Sequence, residues 1–401
     1  MLKKVNFFNN NFLNLSIYKK NLKKTKNTFK CLVEDFEKNQ IPLLDSFTKS
    51  YEFDFSLKTI KKFSKYKNII IIGMGGSILG SKAIYSFLKK KIKKEVFFFD
   101  NLDLNLNLNY NKLKSLKNSC FLLIGKSGNT IESILNLAAI FSKSLLRNKL
   151  IVISQHEDNS LVEIANKYQA DLIEHKEFIS GRYSVLSETG MFPAALMGLD
   201  VVKFKNLKNL IKNRNFVSTL IHNVACIYTL NLKKINNSVI LNYDSNLNDL
   251  GYWYQQLVAE SLGKSSKGIL PIISTVPRDN HSLMQLYLDG FKKNFFTFFY
   301  VHDRNSKKIN NKAIFNSHKY LKNKNISNII YCQKKATENI FKIKNIPFRS
   351  FEIYKRDEKT LGELFTFFIL ETILLGKALN LNPYDQPAVE LIKKETKKLL
   401  V

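Results

Sequence analysis

Four isoleucines in a row, Ile69–Ile72, run without a break into Gly-Met-Gly-Gly-Ser (73–77), and a helix-forming stretch follows at once. No other feature of the sequence constrains the fold as much. A short, continuous apolar run suits a strand buried on both faces, as in a parallel sheet covered by helices. The glycines mark a strand-to-helix turn, where free backbone N–H groups form a natural anion site. The same pattern recurs downstream. EVFFFD (95–100), CFLLIGKSGN (120–129), KLIVISQ (149–155) and ADLIEH (170–175) read as strands, with SKAIYSFLKKK and TIESILNLAAIFSKSLL as helices between them. This alternation predicts a doubly wound parallel sheet with ligands at the carboxyl ends of its strands.

A second series begins after the basic stretch KFKNLKNLIKNRNF (203–216). SVILNY (238–243), KNFFTFFYVHD (293–303), SNIIYCQ (327–333) and PFRSFEIY (347–354) read as strands, and DLGYWYQQLVAESLG (249–263) as a helix. TLGELFTFFILETILLGKAL (360–379) is a long, nearly all-apolar helix, and Glu363 and Glu371 place it in a protein interior or interface. TFKCLVEDFEKN (28–39) and SLKTIKKFSKY (56–66) read as helices and NLDLNLNLNYNK (101–112) as a surface loop. The expected organisation is α/β: a helical N-terminal extension (1–60), two sheet domains (61–215 and 216–380) and a C-terminal helical arm (381–401). No apolar run approaches the roughly 20 residues of a membrane helix, so no membrane partner is expected.

Lysine and arginine total 63 against 33 acids, a net charge of +30. Only seven of the 63 are arginines, and the lysines are spread along the chain among Asn, Ile and Phe. That is a bias of composition, and no nucleic-acid partner is inferred from it. The charge does attract anionic small molecules over a long range. Four scattered cysteines with no CxxC argue against a disulfide framework or a zinc site and for a reducing compartment. The first 20 residues lack the apolar core of a signal peptide. A cytoplasmic protein without a metal is expected.

The glycine cluster fails as a dinucleotide fingerprint. Counted from Gly73 the third glycine falls on Ile78, and counted from Gly75 the second falls on Ser77. No GxxxxGK[ST] is present. What remains is three small backbone positions at Gly73, Gly75 and Gly76, the Ser77 hydroxyl and a helix start, which suit one compact phosphate monoester. The plain alternative is a tight turn with no ligand. A second turn, GKSGNT (125–130), shifts the balance: it offers Lys126, Ser127 and Thr130 on flexible backbone at Gly125 and Gly128. Two such loops on neighbouring strands can close around one phosphate.

Together with SGRYSVLSETG (180–190), QQLVAESLGK (255–264), RDNHSLMQL (278–286) and YDQPAVELIKK (384–394), these loops occur in the order and spacing of the glucose-6-phosphate isomerase family, which the chain resembles from about Ile69 to Lys394. The resemblance implies two sugar-isomerase (SIS) domains with flavodoxin-like sheets. It also implies interconversion of glucose 6-phosphate and fructose 6-phosphate without a cofactor, and a homodimer whose site borrows a histidine from the neighbouring subunit.

Carried onto this sequence, the resemblance makes Glu260 the base that moves a proton between C2 and C1. Arg182 becomes the cation that stabilises the enediolate, and His281 and Lys393 the ring-opening pair. Gly76, Ser77, Lys126, Ser127, Thr130, Gly181, Gln256 and Gln386 become substrate contacts. Glu260 follows Gln256 by four residues, on one helix face. Gly125, Ser180, Glu188 and Thr189 depart from the family pattern. Two other functions fit the phosphate loops: an SIS isomerase that also accepts mannose 6-phosphate, and a non-catalytic sugar-phosphate-binding regulator.

Overall fold

The computed structural model describes residues 2–7, 13–103, 118–140, 149–303 and 305–400. Among them ten strands form two five-stranded sheets. The strands are β1 (Leu2–Phe7), β2 (Asn68–Gly73), β3 (Glu95–Phe99), β4 (Ser119–Ile124), β5 (Leu150–Ser154) and β6 (Asp171–Glu174), then β7 (Asn237–Asn242), β8 (Leu270–Thr275), β9 (Asn294–Val301) and β10 (Phe348–Ile353). Eight of the described helices have ten residues or more: α1 (Leu15–Glu37), α2 (Leu79–Leu88), α3 (Ile131–Ile140), α4 (Arg214–Leu232), α5 (Asn248–Leu262), α6 (Ile326–Ile343), α7 (Glu358–Ala378) and α8 (Val389–Leu400).

The first sheet is all parallel, in the order β3-β2-β4-β5-β6. The second runs β8-β7-β9-β10 in parallel, with β1 added antiparallel to β10. Both sheets have the same winding. The second strand goes to one side of the first, and the third crosses to the other side. The chain direction therefore reverses between β2 and β4 and between β7 and β9, and ligands of such sheets bind at these switch points. The apolar runs are explained by burial: every residue of β4, β5, β9 and β10 is buried.

One hydrophobic core joins the two sheets. It contains Ile69 and Ile71 of β2, Phe299 of β9, Phe351 of β10, Phe29 of α1 and most of the apolar residues of α7. Phe365 of α7 is fully buried against Trp253 of α5, with ring centroids 4.7 Å apart in an edge arrangement. Burial of such a side chain contributes about 1.5–3 kcal/mol. Glu371 of α7, one of the two acids that mark it as a protein-interior helix, meets Arg349 of β10 in a pair of hydrogen bonds, both side chains being buried. No described helix is long and apolar enough to cross a membrane.

The two units exchange helices. α2 leaves the end of β2 and finishes beside the strand ends of the second sheet, where Lys90 meets Asp303 at 2.9 Å and Lys91 meets Glu358 at 2.6 Å. α5 starts at the end of β7, anchored by Asn242 to Asn248 at 2.7 Å, and finishes over the strand ends of the first sheet. Ser86 and Asp249 tie α2 to α5 where they pack.

The structure departs from the sequence reading at three places. Residues 327–333 are helical, part of α6. Asn325 caps that helix by accepting from Asn328 N at 2.7 Å, and its buried face carries Lys334, Glu338 and Phe341 at helical spacing. A charged inner face hides a helical period from anyone counting apolar residues. The N-terminal extension is helical but also contributes β1. β8 gave no strand signal because Pro271 interrupts it, and proline is tolerated there because β8 is an edge strand. Of the predicted loop at 101–112, residues 104–112 lie outside the described residues, as do 141–146 of the helix predicted after Thr130.

Candidate active site

β2 and β4 are neighbours, with Gly73 opposite Ile124, so the two glycine turns emerge side by side at the first sheet's switch point. Gly75 has φ +53, and a Cβ there would lie 2.7 Å from Gln256 Nε2. A Cβ on Gly76 would lie 2.1 Å from the Gly181 carbonyl carbon. Glycine at these two positions is therefore what lets α5 and the 180–182 loop close against the turn. Ser77 is buried just before α2, and Ser127 and Thr130 lie just before α3. None of the three hydroxyls has a hydrogen bond among the described residues, and each precedes a helix, whose start favours an anion. Lys126 donates to the Glu177 carbonyl at 2.7 Å, and burial holds its pKa below the usual lysine value, with Arg182 acting in the same direction.

Across from this cradle, the last turn of α5 carries a carboxylate. Gln256 Nε2 donates to Glu260 Oε1 at 2.8 Å, and Arg182 Nη1 approaches Glu260 Oε2 at 3.4 Å. The Glu260 side chain keeps 28% of its surface exposed, so it faces the cleft. Arg182 is 1% exposed and fully engaged. It donates through Nε to Ser261 Oγ at 2.8 Å, through Nη2 to the carbonyls of Pro383 (2.7 Å) and Asp385 (3.0 Å), and through Nη1 to Gln386 Oε1. A guanidinium fixed in this way is preorganised to stabilise charge that develops next to it. Among the described residues Gln256 Oε1 is buried without a partner, an acceptor available to a sugar hydroxyl.

The chain thus brings together Gly76, Ser77, Gly181, Arg182, Gln256, Glu260 and Gln386, with Lys126, Ser127 and Thr130 on the adjoining turn. It does not bring His281 or Lys393 to them. His281 is exposed on a short turn after β8. α5 packs on β8 and runs antiparallel to it, so Glu260 lies near the start of that strand and His281 beyond its end. Six strand residues separate the two ends by about 20 Å. Lys393 is on α8, exposed and paired at 2.6 Å with Glu390 one turn before it.

Sequence reasoning passed over Ser261 and Tyr183. Tyr183 OH contacts Ser261 Oγ and donates to the Pro383 carbonyl, both at 2.9 Å, and Ser180 Oγ donates to the Tyr384 carbonyl at 3.1 Å. Their adjacency to Arg182 and Glu260 was the only available signal. The departure at Ser180 therefore adds a tie to the C-terminal segment. Glu188 accepts from Tyr51 OH and Asp54 N, and its burial pushes its carboxyl pKa up. Thr189 Oγ1 donates to Ser184. Those two departures face the interior and not the cleft.

Two neighbouring glycine turns beside a carboxylate and a fixed guanidinium, on paired doubly wound sheets, suit a sugar-phosphate isomerase. Comparison with known proteins agrees. Residues 51–275 match the family model described as phosphoglucose isomerase. The chain is 32% identical to glucose-6-phosphate isomerase of Methanocaldococcus jannaschii over 362 residues, 85% of this chain and 86% of that protein. It is 31% identical to that of Campylobacter jejuni over 366 residues, covering 86% and 88% of the two chains. The fold matches a protein of Thermus thermophilus over the whole of both chains, with a TM-score of 0.87 at 19% identity. It also matches a glucose-6-phosphate isomerase of Chlamydia trachomatis with a TM-score of 0.72 at 17% identity, over 86% of this chain and 71% of that one. The chain belongs to the phosphoglucose isomerase family.

Proposed function

We propose that this protein is a glucose-6-phosphate isomerase, interconverting glucose 6-phosphate and fructose 6-phosphate through an enediol. What supports the reading most is Glu260, held by Gln256 and Arg182 beside the Gly75–Gly76 turn. Ser77, Ser127 and Thr130, with the N–H groups at Gly76 and at the starts of α2 and α3, hold the phosphate. Lys126 adds positive charge at the second turn. Gln256 and Gln386 orient the sugar, and the Gly181 backbone shapes the floor beneath it. Glu260 takes the C2 proton of the open-chain aldose and returns it to C1, while Arg182 stabilises the enediolate oxygen.

Ring opening needs a further acid and base. In this reading Lys393 of the arm and the partner subunit's His281 supply them, so the working enzyme is a homodimer with shared sites. The exposed position of His281, some 20 Å from its own Glu260, supports an intersubunit role. The protein acts in glycolysis and gluconeogenesis in the cytoplasm. The test is conversion of fructose 6-phosphate to glucose 6-phosphate by the purified protein, read through a coupled dehydrogenase, with mannose 6-phosphate assayed in parallel. Turnover of fructose 6-phosphate is expected. Its absence, with phosphate-sugar binding retained, would instead indicate a regulator.

A further inference from the structure

Residues 382–386 lie across the site before the chain enters α8, and one residue with no role assigned so far grips them. Lys264, two residues beyond the end of α5, donates to the Asn382 carbonyl at 2.5 Å, to the Asp385 carbonyl and to Asp385 Oδ1 at 2.5 Å. Its side chain is only 13% exposed. From the other side Arg182, Tyr183 and Ser180 bind the carbonyls of Pro383, Asp385 and Tyr384. The segment is therefore held between the loop that carries Arg182 and the end of the helix that carries Glu260. Beyond it, no residue of α8 is buried.

The backbone at Lys264 is built for this grip. Ser265 and Ser266 have φ of 51 and 57, both in the left-handed region, and Lys267 N donates to the Lys264 carbonyl at 2.9 Å. Such a turn normally uses Asn-Gly, and each non-glycine residue there costs about 1–2 kcal/mol. Conformations of this kind persist where the surroundings over-determine them, and they cluster at functional sites. Here the turn aims Lys264 at the arm and sends Lys267 to the Leu379 carbonyl at the end of α7, at 3.0 Å.

We propose that Lys264 is a positioning residue of the isomerisation: it docks residues 382–386 on the end of α5, which sets Gln386 against Arg182 and fixes the root of α8. The proposal rests on the isomerase reading. Without Lys264 the segment loses its hydrogen bonds to the residue that follows α5, whereas Ser77, Ser127 and Thr130 have no hydrogen bond to it among the described residues. The loss should therefore appear in kcat, about tenfold or more, with KM within about twofold.

The experiment compares wild type, Lys264→Met, Lys264→Arg and Lys267→Met by steady-state kinetics with fructose 6-phosphate and by amide hydrogen exchange without substrate. In Lys264→Met, kcat should fall with KM held, and exchange should rise over residues 380–388 alone. Lys264→Arg should restore both properties, and Lys267→Met should keep wild-type kcat. An unchanged kcat in Lys264→Met overturns the proposal. So does a fall in kcat and rise in KM accompanied by faster exchange throughout the molecule, which would mark a merely structural role. Lack of turnover in the wild type refutes the isomerase reading and this catalytic role with it, while exchange at 380–388 still decides whether Lys264 docks the arm.

Discussion

Gly76→Ala tests the geometry of the site most simply. A Cβ at Gly76 would meet the Gly181 carbonyl carbon at 2.1 Å, its oxygen at 2.2 Å and Arg182 N at 2.7 Å. All three are backbone atoms, so no side chain can swing aside. Ordinary contact begins near 3.4 Å, so the Gly75–Gly76 turn and the Arg182 loop must part by more than about 1 Å. Overpacking of this kind costs about 1–3 kcal/mol. A displacement of about 1 Å between a binding element and a catalytic group is worth up to a hundredfold in rate. We expect kcat/KM for fructose 6-phosphate to fall between about tenfold and a hundredfold, with the urea midpoint lowered. Gly198→Ala is the control. Gly198 has φ +84 with nothing within 4 Å of its would-be Cβ, so alanine there costs only backbone strain, about 1–2 kcal/mol, and leaves kcat/KM unchanged. A folded Gly76→Ala protein with wild-type kcat/KM would refute the close packing of phosphate turn and Arg182 loop.

Three more expectations follow from named groups. Ser77→Ala removes one hydroxyl from the proposed phosphate site, and a hydrogen bond to a charged group is worth about 1.5–3 kcal/mol, so KM should rise about tenfold or more with kcat little changed in the coupled assay. Glu371→Leu strands the buried Arg349 guanidinium and should cost about 3–5 kcal/mol in urea unfolding, much of it recovered by adding Arg349→Met. Burial pushes His175 down to about 4, so between the unfolded value near 6.5 and that pKa only the unfolded chain takes up the proton. Its contribution is complete above pH 6.5 and is lost as pH falls towards 4, about 3 kcal/mol in total. His175→Gln should flatten the decline in unfolding free energy across that interval, and an unchanged slope would contradict the assignment.

The sequence made the first sheet and its turns legible because burial on both faces turns parallel strands into unbroken apolar runs, as at Ile69–Ile72 and Cys120–Ile124. Glu260 and Gln256 were readable as a pair because four residues on a helix is a fixed geometry, and the structure shows their hydrogen bond. The failures have physical causes of their own. α6 turns Lys334 and Glu338 inward, where a salt bridge at 2.8 Å replaces the apolar face that a periodicity argument needs. β8 holds Pro271 at a sheet edge. β1 pairs with a strand more than 300 residues away, a contact with no local signature. The grip on residues 382–386 is made largely to backbone carbonyls, which every residue carries, so the identities of the acceptors are silent in the sequence. His281 and Lys393 were named only through the family motifs, and the folded single chain leaves both exposed and away from Glu260.

The central claim is that Glu260 moves the proton between C2 and C1, on a sugar phosphate whose binding is the work of other residues. Glu260→Gln keeps the shape and the contact with Gln256 but removes the base. Measured side by side, turnover of fructose 6-phosphate should fall about a hundredfold to ten-thousandfold, while its calorimetric dissociation constant stays within a few-fold of wild type. A Glu260→Gln protein that turns over at the wild-type rate, or that loses binding and turnover together, would contradict the account.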